Sequence, residues 1–123
     1  NLANKIWNAA RYVKEAKKIK SGSGDAEFRD KLNRVADDVT RQLDDLKIGL
    51  AAETVYNEFW HWYCDEAIEA NKKGDVGLEA LRDGLAIFLK LLHPFVPFVS
   101  EAVWSEVFPN EGLLTASTWP KMK

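Results

Sequence analysis

At 123 residues the chain is long enough to bury one core and too short for two. Its 46% hydrophobic and 29% charged content is that of an ordinary globular domain, and no stretch approaches the roughly 20 apolar residues of a membrane span. Taken whole, the formal net charge of −2 argues weakly against nucleic-acid binding, but it is unevenly spread: residues 1–20 hold six basic residues against one acidic, residues 21–66 five against eleven, and residues 67–123 six against seven. Polarity of that kind bears on association with charged partners rather than on fold. The single cysteine, Cys64, cannot form an internal disulfide, and with no signal-peptide pattern the expected compartment is the cytoplasm.

Helical periodicity runs through the whole chain. Leu2, Ile6, Ala9, Val13 and Ala16 step by four and three along a first helix over 2–20. Ser21-Gly22-Ser23-Gly24 ends it, and Asp25 reads as the N-cap of the next helix. Phe28, Leu32, Val35, Val39, Leu43 and Leu46 form the second stripe. Asp44-Asp45 with Gly49 predict a tight turn near 44–50, and a third helix follows over about 50–71 with Val55, Phe59, Trp62 and Ala67 inward. Asn71 through Gly77 reads as a loop. Leu78, Leu81, Leu85, Phe88, Leu89 and Leu92 draw a fourth and most apolar stripe, which Pro94 stops. Pro97 suits the first turn of a fifth helix reaching about Phe108 and burying Phe98, Val99, Ala102, Val103 and Val107; Phe95 and Trp104 join that core. The tail from Leu113 to Lys123 has no helical period and is expected to be extended. The expected fold is all-α: one domain over 1–123, an up-down antiparallel bundle of four main helices, a shorter fifth helix and an extended C-terminal tail.

Short connections make neighbouring helices antiparallel, which puts the loops after the first and third helices at one pole. Lys17, Lys18 and Lys20 precede the first of these loops, and Asn71, Lys72 and Lys73 lie in the second. The Asp44-Asp45 turn lies at the other pole. Converging cations are what a phosphate-binding surface requires, although lysines near helix C-termini also complement the helix dipole.

Little else points to chemistry. Around His61 and His93, the only histidines, no Cys or carboxylate cluster stands at metal-ligand spacing, so no metal site is expected. His93, beside Pro94, reads as a capping or core hydrogen-bonding group. Cys64 sits one turn from His61 and reads as a small buried hydrophobe. Phe59-Trp60-His61-Trp62-Tyr63 covers all sides of a helix, so some rings face outward, where they pack on neighbours or stack on bases. No nucleophile–base–acid set is present, and no catalysis by this chain alone is expected.

Three strings are more specific. Asn4-Lys5-Ile6-Trp7-Asn8-Ala9-Ala10-Arg11-Tyr12-Val13 is similar to the opening signature of one synthetase domain, Phe59-Trp60-His61-Trp62-Tyr63-Cys64-Asp65 to its Phe-x-Trp-x-x-Phe-Cys-Asp stretch, and Leu91-Leu92-His93-Pro94-Phe95-Val96-Pro97-Phe98-Val99-Ser100-Glu101 with Val103-Trp104 to its LLHPFMPFITEELW run. Thr118-Trp119-Pro120 resembles its closing segment. In this order and at this spacing, they make nearly the whole chain resemble the anticodon-binding domain of class I aminoacyl-tRNA synthetases, closest to the valyl type. Isoleucyl and leucyl types share the fold but usually differ at the first and third strings. A free-standing helical protein-interaction module of the same fold is the alternative from another class.

The resemblance implies a bundle that binds the anticodon stem-loop of a tRNA near the far end of the first helix and the loop between the third and fourth. That is the pole already reached from connectivity. The expected RNA contacts are Arg11, Lys14, Lys17, Lys18, Lys20, Lys72 and Lys73 on phosphates, with Asn71 on a base edge; Trp7 and Asn8 are expected at packing or junction positions. It implies partnership with the catalytic domain of a valine–tRNA ligase, as a monomer and without a membrane. ATP and magnesium would belong to that catalytic domain, because both ATP-site signatures of the class are missing here. Two departures stand out: SGSGDAEF replaces a longer connection carrying Asp-Arg-Trp-Ile, and Glu66-Ala67-Ile68-Glu69 replaces Trp-Tyr-Leu-Glu.

Overall fold

The computed structural model describes residues 1–16 and 19–120. In chain order it contains α1 (Leu2–Glu15), α2 (Asp25–Asp44), α3 (Ile48–Asn57), a π-helical stretch (Glu58–Ala67), α4 (Ile68–Lys72), α5 (Leu78–Leu92), α6 (Pro97–Val107) and a 3₁₀ turn at Leu114–Ala116. No strand occurs among the described residues, and no helix among them is long and apolar enough to cross a membrane. The third predicted helix is one unbroken rod, α3–π–α4, so the bundle of four main helices and a shorter fifth is all-α as read from periodicity.

α5 is the centre, packed against α1, α2, α3 and α6. Leu81, Leu85, Phe88, Leu89 and Leu91 are fully buried there, each stabilising the fold by about 1.5–3 kcal/mol. Contacts between elements fix the directions. Lys5 Nζ lies 3.4 Å from an Asp65 oxygen and Tyr12 reaches Asn71, so α1 runs parallel to the rod. Lys14 meets Glu106, so α6 ends beside the end of α1. One pole therefore collects the ends of α1, α4 and α6 and the starts of α2 and α5. The turns from α2 to α3 and from α5 to α6 lie at the other.

The rod's middle follows from its rings. An i→i+5 pattern is rare and usually a single turn, yet here it spans ten residues. It turns Phe59, Trp62, Tyr63 and Ala67 all inward. Phe59 and Tyr63 stack at 5.7 Å between centroids, Phe28 and Trp62 at 5.2 Å, and the buried Tyr63 hydroxyl donates to the Leu81 carbonyl at 2.6 Å.

Five expectations need correction. The first helix ends at Glu15, with Ala16 already extended, instead of running to residue 20. Asp25 is not a cap: Gly24 holds that position, Asp25 is the first helical residue, and its carboxylate bonds elsewhere. The turn after α2 is shorter than predicted, with Gly49 inside α3. Leu46 is 82% exposed rather than in the stripe, because the Lys47 N–H bonds to the Gln42 carbonyl and the Leu46 N–H to that of Leu43, a Schellman closure that puts Leu46 at φ 62°. In α6, Phe98 is 89% exposed and Ala102 faces out, while Ser100, Val103, Trp104 and Val107 face in. Ser100 can be buried because its hydroxyl bonds to His93 Nδ1 at 2.9 Å and to the Pro97 carbonyl at 3.2 Å. Phe95 is partly buried.

The tail is a strap with one short turn. Glu101 accepts the N–H groups of Leu114 (2.6 Å) and Thr115 (2.9 Å), Trp104 Nε1 donates to the Gly112 carbonyl, and Trp119 Nε1 donates to Thr40 at 2.8 Å. Leu114 is buried. The strap thus crosses from α6 to α2.

Candidate nucleic-acid interface

At the pole where α1, α4 and α6 end, two loops far apart in sequence are stitched together. The Leu78 N–H bonds to the Ile19 carbonyl at 2.8 Å and the Gly24 N–H to the Asp75 carbonyl at 2.7 Å. Asp25 joins them again, one oxygen accepting the Gly22 N–H at 3.0 Å and the other the Gly77 N–H at 2.7 Å. The approach is too close for side chains. A Cβ on Gly22 would stand 2.2 Å from the Asp75 carbonyl oxygen, and one on Gly77 2.6 Å from Ser21 Cα. The serine–glycine connection is a fitted surface here.

These loops carry or flank most of the predicted contacts. Lys20, Lys72 and Lys73 are exposed at the pole, and Arg11 is exposed along α1. Lys14 is held by Glu106 at 2.6 Å and Lys72 by Glu69 at 3.0 Å. Among the described residues no carboxylate lies within ion-pair distance of Arg11, Lys20 or Lys73. Lys17 and Lys18 lie outside the described residues. The hydrogen bond from Lys14, and then its charge, hold the Glu106 carboxyl below the usual carboxylate range.

Asn71 sits differently from its sequence reading. It is 3% exposed; its Oδ1 accepts the Tyr12 hydroxyl at 2.5 Å and its Nδ2 donates to the Val76 carbonyl at 2.9 Å. With both ends of the amide engaged and buried, it braces α1 against the loop before α5 instead of presenting an edge to a base. Tyr12 is the partner that sequence reading missed. Burial raises its pKa despite the lowering effect of Lys72, whose ammonium lies 5.6 Å from the ring centroid. The opening string contains Tyr12, but nothing in it marks the pairing.

The remaining candidates are engaged in packing. Cys64 is partly buried, and burial, against the opposing pull of Lys5, pushes its thiol up to about 12. Trp60 is half-buried between Tyr56 and Lys5. Among the described residues no three metal-ligating side chains gather.

The fold is an antiparallel helical bundle with two loops joined at one pole, and residues 25–123 match the family described as the anticodon-binding domain of tRNA ligase. The chain belongs to that family. It is 35% identical over 139 aligned positions to the valine–tRNA ligase of Carboxydothermus hydrogenoformans, covering 98% of this chain and 16% of that protein. The valine–tRNA ligases of Clostridium tetani and Thermotoga maritima are each 34% identical, over 143 and 135 positions, covering 100% and 99% of this chain. The chain spans 16% of the length of these relatives. Since the aligned stretches exceed 123 positions, the relatives carry residues within this region that the present chain lacks.

Proposed function

We propose that the chain binds the anticodon stem-loop of a valine tRNA, as the anticodon-binding part of a valine–tRNA ligase. The observation that carries the reading is the joining of the α1–α2 and α4–α5 loops at one pole, in a chain whose family is that of anticodon-binding domains. Lys14, Lys17, Lys18, Lys20, Lys72 and Lys73, with Arg11 along the flank, contact phosphates; Tyr12 and Asn71 hold the surface in shape. Phosphate contacts supply affinity and register, while base edges and loop shape supply discrimination. Activation of valine, with ATP and magnesium, belongs to the catalytic part of the ligase. The chain works as a monomer in the cytoplasm.

The test is titration with a stem-loop RNA bearing a valine anticodon at several salt concentrations. Binding is expected, with log affinity falling linearly with log salt. Replacing Lys17, Lys18, Lys72 and Lys73 together with Ala is expected to weaken it and flatten the slope, equally for valine and isoleucine anticodons. Absence of salt-dependent binding by the unaltered chain overturns the reading.

A further inference from the structure

We infer that Asp25 is a positioning residue for RNA binding: its carboxylate holds the two basic loops in the one arrangement that lets their lysines reach a phosphate backbone together. The inference rests on the functional reading above. It stands on geometry, because a single side chain joins the two loops, with Oδ2 on the Gly22 N–H at 3.0 Å and Oδ1 on the N–H of Gly77, 52 residues further along the chain, at 2.7 Å. The Gly24–Asp75 and Leu78–Ile19 backbone bonds cross the same gap, so the Asp25–Gly77 bond is the side-chain member of a three-bond seam, and the Gly22 bond fixes the carboxylate within its own loop. Lys20 lies within one side of that seam, next to Ile19, and Lys72 and Lys73 precede the other.

A carboxylate beside an RNA-binding surface repels phosphate, so its placement needs a reason. Here both oxygens accept backbone N–H groups, and the residue opens α2, where the helix dipole favours negative charge. Fixing the loops beforehand removes the ordering cost that flexible loops would bear on binding. Charge and positioning therefore make opposite predictions. If Asp25 acted only through its charge, removing it would strengthen RNA binding. If it positions the loops, removing it weakens binding.

The experiment compares Asp25→Ala, Asp25→Asn and, as a charge control, Glu27→Gln, a neighbouring exposed acid on the same first turn. Each is titrated with the valine stem-loop at a temperature where circular dichroism shows full helicity, and amide exchange is read at Gly22 and Gly77. Asp25→Ala is expected to bind about tenfold more weakly with a shallower salt slope, equivalent to losing one or two phosphate contacts. Its Gly22 and Gly77 amides should exchange faster. Asp25→Asn, which keeps one acceptor oxygen, should fall between Ala and the unaltered chain, and Glu27→Gln should bind slightly more tightly. Asp25→Ala binding as tightly as the unaltered chain, or more tightly, while fully folded overturns the inference and leaves the functional reading standing. Unchanged exchange at both glycines overturns the clamp itself. Failure of the unaltered chain to bind overturns the functional reading, and this inference with it.

Discussion

Lys14 and Glu106 meet at 2.6 Å, tying the last turn of α1 to the last turn of α6. Lys14 is one of the cations proposed to face phosphate, and in that role Glu106 would compete with RNA for it. Glu106→Gln should raise affinity for the stem-loop about fourfold near physiological salt, the counterion release of roughly one added phosphate contact. pH provides the same test without mutation. The depressed Glu106 pKa means that the ion pair contributes above the unfolded carboxylate value and is lost only as pH falls through the lower folded value. A Glu106→Gln variant with the unaltered affinity and slope would show that Lys14 does not reach RNA.

Leu46 occupies the left-handed position of the α2 closure at φ 62°, where glycine is the usual residue. That conformation costs an L-residue roughly 1–2 kcal/mol, and the side chain, 82% exposed, recovers little by burial. Glycine's freedom in the unfolded chain costs about 0.5–1 kcal/mol. Leu46→Gly should therefore stabilise the domain by about 0.5–1 kcal/mol, seen as a higher urea midpoint with an unchanged slope. A lowered midpoint would mean that the exposed leucine packs in solution.

The same residue shows where sequence reading stops. Stripes in α1, α2 and α5 were legible because apolar residues recur there at helical spacing with polar residues between. Leu46 continued the α2 stripe by spacing, yet a closure without glycine gives no sign that the helix has ended. In α6, Pro97-Phe98-Val99 and Ala102-Val103-Trp104 are apolar on several faces, so periodicity could not choose which face turns inward. A buried serine, paired with His93, decided it. At the candidate interface, connectivity was enough to bring the two loops to one pole. It could not tell that Asn71 faces inward to Tyr12, nor that Asp25 bridges to Gly77, because such pairings across long sequence separations leave no periodic trace.

Gly84, in the middle of α5, tests how tightly the aromatic centre is packed. An added Cβ would stand 2.7 Å from Phe28 Cζ and 2.9 Å from Tyr63 Cε1. Helix propensity alone favours alanine over glycine by about 1 kcal/mol, whereas overpacking costs typically 1–3 kcal/mol. The rings have little room to retreat, since Tyr63 is anchored on the Leu81 carbonyl and Phe28 is stacked on Trp62. Gly84→Ala is expected to destabilise the fold by about 1 kcal/mol net, read from chemical denaturation. A stabilised variant would show that the centre relaxes around the methyl.

Cys64 gives a test that needs no substitution. Burial raises its thiol from 9.0 to about 12, and the thiolate is the form that reacts. At pH 8 the folded protein should react with iodoacetamide about three orders of magnitude more slowly than the chain in denaturant, as the difference in thiolate fraction requires. The sign of the linkage follows: a folded-state pKa above the unfolded one gives stability that is complete below the unfolded value and declines as pH rises from about 9 toward 12. Replacement by serine would remove that alkaline decline while leaving RNA binding at neutral pH unchanged. Rapid alkylation of the folded chain at pH 8 would instead place the thiol in water, against its packing on the core beside Tyr63.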